Sequence, residues 1–196
     1  MAASSTIICN AGLIKVGAKM IASLSDNTKE ARICNFQYSI SRDFLLAQHS
    51  WSFATKRDTL TADATAPEFG FDYRFALPAD YLSHLALDPD YKEHKVEAGY
   101  ILCNSSEIDV IYTFKQTTTT MFSKEFDEAL ACHLGSQIAY SLVQNDALKN
   151  SLFQEANHWV SIARSVDSRN STPIKMKPNT WLDARYSGGS YQSSSD

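Results

Sequence analysis

The side chains of this chain that could do chemistry are spread out rather than gathered. Its five histidines are His49, His84, His94, His133 and His158, and none has a nucleophile at an interpretable spacing. His133 falls mid-helix beside Cys132 at the edge of an apolar stripe, which makes it a boundary histidine rather than a general base. His49 and His158 adjoin Trp51 and Trp159, as helix-end and surface packing would require. Asp88-Pro89-Asp90 resembles a cation loop but lacks the further oxygen ligands at alternating positions that calcium needs, so it reads as a turn. Glu125, Asp127 and Glu128 lie in the first turn of an expected helix, where the macrodipole favours acids.

There is no G-x-S-x-G, no phosphate-cradling glycine loop, no H-E-x-x-H and no dinucleotide fingerprint. The four cysteines, Cys9, Cys34, Cys103 and Cys132, show neither a C-x-x-C nor a matching histidine pair. That spacing argues against zinc. Cys9 and Cys34 fall on apolar helical faces as small hydrophobes, and a reducing compartment is the simpler expectation. No metal and no cofactor is expected. Two carboxylates brought together only by the fold could still hydrolyse a glycosidic bond, and the sequence leaves that open.

The elements that must position these residues follow from periodicity. Ser4, Ser5 and Thr6 offer caps for a helix over 5–16, with Ile7, Ala11 and Ile14 as its apolar line and Gly17 as its stop. A second helix runs from Asn27 to about His49, with Asn27 and Glu30 at capping-box spacing. Ile33, Ile40, Phe44 and Ala47 make one apolar line on it, and Cys34, Tyr38 and Leu45 another. Such a wide stripe suits a helix covered on more than one side. Trp51-Ser52-Phe53-Ala54 then forms a packed corner, because large aromatics bury the most apolar area where a helical layer meets a β layer.

From residue 53 to 120 the period becomes two. Phe71 to Leu77 and Ile108 to Phe114 alternate as half-buried strands, and Pro78 ends the first. Lys95 to Cys103 is a weaker candidate with a turn or bulge at Gly99, and Thr55 to Leu60 is a fourth. Residues 61–70 read as an exposed loop. Helical period returns with Phe122, Phe126, Leu130, Leu134, Ile138 and Leu142, capped by Ser123. After a short turn at 144–146, Leu148, Leu152, Ala156, Trp159, Ala163 and Val166 form another stripe, so the two helices should be antiparallel neighbours.

The expected fold is α+β. An antiparallel helical bundle of about four helices comprises residues 1–52 and 121–167, a small antiparallel sheet is inserted over 53–120, and 168–196 form an extended C-terminal tail. Arg164, Arg169, Lys175, Lys177 and Arg185 face three aspartates in 164–196, giving +2 there against −6 for 1–163. Pro173 to Tyr186 carries Ile174, Met176, Trp181, Leu182 and Tyr186, the composition of a segment ordered by a partner.

At 44% hydrophobic and 11% aromatic residues, the chain can build a core. A net charge of −4 argues against a conventional basic nucleic-acid binder. Nothing approaches the ~18 apolar residues of a membrane span. The first six residues lack the basic start and apolar core of a signal peptide, so synthesis in the cytoplasm is expected.

A resemblance runs along the chain. Glu30-Ala31-Arg32, then Trp51-Ser52-Phe53-Ala54 with Arg57 and Leu60, resemble the head–tail connector proteins of short-tailed bacteriophages, also called adaptor proteins or tail tubular protein A. Further matches are residues 9–14 (Cys9-Asn10-Ala11-Gly12-Leu13-Ile14) and 21–26. They continue with Tyr73-Arg74-Phe75-Ala76-Leu77-Pro78-Ala79-Asp80, the Phe126 to Leu142 helix and Trp181-Leu182-Asp183-Ala184-Arg185. Their order and spacing cover nearly the whole chain.

The resemblance implies a structural virion protein at the head–tail junction and not an enzyme. About twelve copies would form a ring by heterologous contacts, binding the portal protein on one side and the tail nozzle protein on the other. Double-stranded DNA would pass through the channel without sequence readout, and net acidity suits a conduit that does not hold phosphates. Ile174, Met176, Trp181, Leu182, Arg185 and Tyr186 are the expected portal or subunit contacts, of which Trp181 and Arg185 match the late motif.

Glu30, Arg32, Trp51, Phe53, Arg57, Leu77, Pro78 and Asp80 are assigned to the fold. A buried Arg57 would need a carboxylate, with Asp80 and Glu30 as candidates. Two alternatives stand beside this reading: a tail-associated cell-wall or capsule hydrolase, and a DNA-binding accessory protein supported by the basic tail.

Overall fold

A computed structural model describes residues 4–88 and 93–169. The protein is α+β, with four helices and two small antiparallel sheets. Helix α1 (Ser5–Lys15) starts where Ser4 Oγ accepts the Ile7 N–H at 3.2 Å, and it ends before Gly17, whose φ of +72° suits glycine. Its buried face is Ile8, Cys9, Gly12 and Leu13, one residue round from the expected line. Ile7 and Ile14 point outward, 50% and 60% exposed. On that face α1 crosses α3 (Lys124–Val143) closely, Gly12 against Gly135, with Ile8 and Leu13 packed in the core beside the crossing.

Helix α2 (Lys29–Leu46) is capped by Thr28, whose Oγ1 accepts the Ala31 N–H at 3.2 Å. Asn27 instead accepts from Arg32 Nη2 at 2.8 Å, so the cap lies one residue later than expected and, with Ala31 at the third helical position, no capping box with Glu30 forms. Ala31, Cys34, Tyr38, Leu45 and Leu46 face the core. Of the other expected line, Ile33 and Ala47 are part-buried, with Ile33 packed on the core, while Ile40 and Phe44 are exposed, as is Phe36, so coverage on several sides fails for Ile40 and Phe44. Lys29 Nζ donates to Ser141 O at 2.8 Å, tying the start of α2 to the end of α3. Cys9 and Cys34 are free, fully buried and hydrogen-bonded to each other, which with burial raises the Cys9 pKa.

Helix α3 is the centre of the helical layer and packs against α1, α2 and α4 (Asp146–Ser168). Ser123 caps it through the Phe126 N–H at 3.2 Å. The stripe Phe126, Leu130, Leu134, Ile138 is buried as expected, and so are Cys132, His133 and Ser136 on its other sides. His133, at 6% exposure, is therefore inside rather than at the boundary. Gln144 in the left-handed region (φ 52°) and the cap Asn145 turn the chain into α4.

Strands β1 (Thr55–Thr61), β6 (Glu107–Phe114) and β3 (Tyr81–Asp88) form one sheet in the order β1-β6-β3. Strands β2 (Tyr73–Ala76), β5 (Tyr100–Cys103) and β4 (His94–Glu97) form another, ordered β2-β5-β4. The expectation of a single sheet is thus corrected to two. They share one apolar cluster, with Phe75, Ile101 and Cys103 from one sheet and Leu87, Ile108, Val110 and Tyr112 from the other. Six short strands have more apolar faces than a single open layer can cover, and stacking two sheets buries both.

Strand β3 was not expected. Its register against β6 shifts twice, between Tyr81 and Ser83 and between Ser83 and Ala86, and His84 sits at φ 51°. Such irregularities erase the alternation that marks a strand in sequence. The turn suspected at Gly99 is a two-residue hairpin in which Ala98 (φ 48°) and Gly99 (φ 82°) both take positive φ. In the turn expected at 88–90, Asp88 ends β3, while residues 89 and 90 lie outside the described residues.

Candidate interaction surface

Of the residues the sequence assigns to the fold, Trp51, Phe53, Leu77, Pro78 and Asp80 sit in the scaffold. Trp51 is fully buried, and its Nε1–H donates to Leu45 O at 3.1 Å. Its ring lies 5.6 Å from Phe53 and 5.1 Å from Phe126, and Phe53 meets Phe122 at 5.6 Å. This is the corner that the sequence announces, between the end of α2, the start of β1 and the start of α3. Leu77 packs on the β core, and Pro78 O accepts the Tyr81 N–H at 2.9 Å to set the turn into β3.

Asp80 lies in that turn and ties it to β1 and to the end of β6. One carboxylate oxygen takes the Lys56 ammonium at 3.0 Å and the other accepts from Tyr112 Oη at 2.8 Å, while its carbonyl accepts the Lys115 N–H. Burial acts to raise its pKa, but Lys56 and Tyr112 outweigh burial and hold the carboxyl below its usual value.

Arg57 is not buried, and neither Asp80 nor Glu30 is its salt-bridge partner. Strand period two decides this: Lys56 pairs across with Tyr112 on the inner face, so Arg57, opposite Ile111, falls on the outer one. There it lines a groove of about 450 Å³ with Thr59, Asp88 and Asp109. Asp88 and Asp109 stand directly opposite each other, and Thr59 Oγ1 donates to Asp109 at 2.7 Å. Glu30 lies half-buried in the first turn of α2, and Arg32 is exposed. Ile174, Met176, Trp181, Leu182, Arg185 and Tyr186 lie outside the described residues.

One polar cluster escaped the sequence reading. Lys15 Nζ of α1 lies 2.7 Å from Glu128 of α3 and 3.1 Å from Glu155 of α4. The donor atoms of Glu128, Cys132 and Glu155 all fall within 4.8 Å of one another. Two carboxylates and a thiol could hold a divalent cation, but the ammonium of Lys15 already supplies the positive charge. Burial works against that ammonium, yet Glu128 and Glu155 outweigh it and raise the Lys15 pKa. Lys15 in turn holds Glu155 low, and burial pushes the Cys132 thiol to about 12, so it stays protonated. The cluster is an ion-paired clamp across three helices. Its only sequence signal is the i, i+4 spacing of Glu128 and Cys132, since Lys15 and Glu155 are 140 residues apart.

The surface that stands out is apolar. Phe36, Ile40 and Phe44 recur at i, i+4, i+8 along α2 and are 72%, 48% and 49% exposed. Phe44 stacks on the His133 ring at 4.9 Å, and Phe153 of α4, 43% exposed, lies 6.4 Å from that ring on its own side. His133 Nδ1 is buried without a hydrogen-bond partner, and burial lowers the pKa of the ring. The buried imidazole, in contact with both phenyl rings, joins Phe44 of α2 to Phe153 of α4. Among the described residues no helix is long and apolar enough to cross a membrane. No family model and no curated protein matches the chain.

Proposed function

We propose that this chain is a structural virion protein, a head–tail connector that joins the portal of a short-tailed bacteriophage to the tail nozzle as a homo-oligomeric ring. The observation that carries the reading is where the chain-long motif residues sit. Trp51 and Phe53 hold the corner between helices and sheet, and Pro78 and Asp80 set and tie the strand that closes it. Motif residues such as these four, built into the scaffold rather than converging on one site, suit a protein whose work is assembly.

In this reading the helices form an antiparallel bundle, residues 168–196 an extended tail, and DNA passes through the ring. Ile7 and Ile14, one face of α1 left 50% and 60% exposed, supply apolar surface for a neighbouring copy. Heterologous contacts between copies need such a face to meet a different one next door.

The test is the mass of the purified protein, alone and after mixing with the portal protein of the same genome. A stoichiometric ring on the portal supports the connector. Failure to associate across salt and temperature overturns it.

A further inference from the structure

The C-terminal ends of α4 and α2 lie side by side. Arg164 Nη2 donates to Gln48 O at 2.9 Å. Asp167 accepts the Ser52 backbone N–H at 3.1 Å and meets His49 Nε2 at 3.5 Å. The chain therefore leaves the described residues, after Arg169, at the end of α2 nearest Phe44. From there Phe44, Ile40 and Phe36 run back along α2 for about 12 Å, at 1.5 Å per helical residue. Beside them on the exposed side are the polar, uncharged Asn35 and Ser39, and the exposed Arg32 continues the line one turn before Phe36.

Residues 170–196 begin at that point, and within them Ile174, Met176, Trp181, Leu182 and Tyr186 are the large apolar and aromatic side chains before Ser187. An extended chain spans at most about 3.3–3.6 Å per residue, so Ile174 can reach about 17 Å from Arg169 and Trp181 about 40 Å. Phe36 lies about 20 Å along the helix from His49. The first anchors thus come within range of Phe44 and Ile40, and Trp181 within range of Phe36. The net charges are opposite in sign, +2 for residues 164–196 against −6 for 1–163.

We propose that residues 173–186 dock in cis on the α2 ridge formed by Phe36, Ile40 and Phe44, with Phe153 at its side, and cover it in the free protein. A segment tethered this close meets the ridge at an effective concentration on the order of millimolar, well above that of a second copy in dilute solution. The inference does not depend on the connector reading, so its failure leaves that reading standing.

The test uses the full chain with Ile40→p-benzoylphenylalanine, illuminated at two concentrations about tenfold apart and mapped by mass spectrometry. The expected result is an intrachain cross-link to a peptide within 173–186, in a yield independent of concentration. Cross-links between copies that grow with concentration would overturn the proposal in favour of a second copy on the ridge. Cross-links that avoid 173–186 altogether would overturn it outright.

A second measurement covers a disturbed ridge. In full-length Phe36→Asp/Phe44→Asp, with folding checked by circular dichroism, tryptic cleavage after Lys175 and Arg185 should speed up about tenfold, because cleavage follows the open population. Trp181→Ala should give the same acceleration. Unchanged cleavage in both variants would sink the docking.

Discussion

Gly12 of α1 and Gly135 of α3 face each other across a tight helix crossing. A Cβ on Gly12 would stand 3.0 Å from the carbonyl oxygen of Ala131, and one on Gly135 would stand 3.4 Å from the carbonyl oxygen of Gly12. The contacts are backbone, and backbone cannot swing aside. Gly12→Ala should therefore lose about 1–2 kcal/mol, an overpacking cost of about 1–3 set against a helix-propensity gain of up to about 1. Gly135→Ala, whose nearest neighbour is the flexible Leu152 Cδ1 at 3.3 Å, should stay within about 0.5 kcal/mol of the parent. Urea unfolding of the two variants checks the order.

Lys15 is the positive centre of a cluster with two carboxylates. Lys15→Met leaves Glu128 and Glu155 facing each other and should cost about 1–3 kcal/mol at pH 7, below the range for fully buried pairs because both acids are partly exposed. The folded pKa of Glu155 is depressed, so its contribution is present above the unfolded value near 4.5 and is lost as pH falls through the folded one. That of Lys15 is raised, so its contribution persists up to about 10.5 and beyond and is lost only as pH rises through the folded value. The penalty of Lys15→Met should shrink in acid, and adding Glu128→Gln and Glu155→Gln should recover part of it at pH 7. Thermal melts from pH 3 to 8 read both.

Asp127 has a buried oxygen with no partner, and burial raises its carboxyl to about 6, with Lys124 opposing. A raised folded pKa gives stability that is complete below the unfolded value of 3.8 and is lost as pH rises through about 6. Asp127→Asn should accordingly stabilise the protein above pH 6 and change little near pH 4. His133 has the opposite sign: its folded pKa lies below 6.5, so its contribution is full above that and lost as pH falls. The Asp127→Asn minus parent difference, taken point by point in pH, isolates the first from the second.

Tyr112→Phe removes the hydroxyl that Asp80 accepts at 2.8 Å and should cost about 1 kcal/mol. Arg57→Ala, on the outer face of the same sheet, should change stability by no more than about 0.5 kcal/mol. A large loss at Arg57 would contradict its exposed position. Chemical denaturation of both variants compares them directly.

Much of the element plan was legible because it is local. Ser4, Ser123 and the four-residue spacing from Phe126 to Ile138 mark helices through bonds and periods within a few residues, and Ile108 to Phe114 marks a strand in the same way. Trp51 as a packed corner was readable from its size and place. Thr28 rather than Asn27 as the cap of α2 was not, since two adjacent polar residues can both serve and only the built first turn selects one. Strand β3 was hidden by its register shifts, and the Lys15 clamp by sequence distance.

By itself, then, the sequence determined where most helices and strands run, that they make an α+β chain, and that four cysteines are spaced as no metal motif requires. Which apolar line each helix buries was decided only in three dimensions. Ile7 and Ile14 lose the core to Ile8, Cys9, Gly12 and Leu13, and Phe36, Ile40 and Phe44 lose it to Ala31, Cys34, Tyr38 and Leu45. Hydrophobicity ranks those faces similarly, and what selects one is how the helices pack together, for α1 the close approach of Gly12 to Gly135 that a Cβ would obstruct. The division into two sheets and the separation of Arg57 from Asp80 were likewise decided by strand pairing over long sequence distances, a relation that no local period encodes.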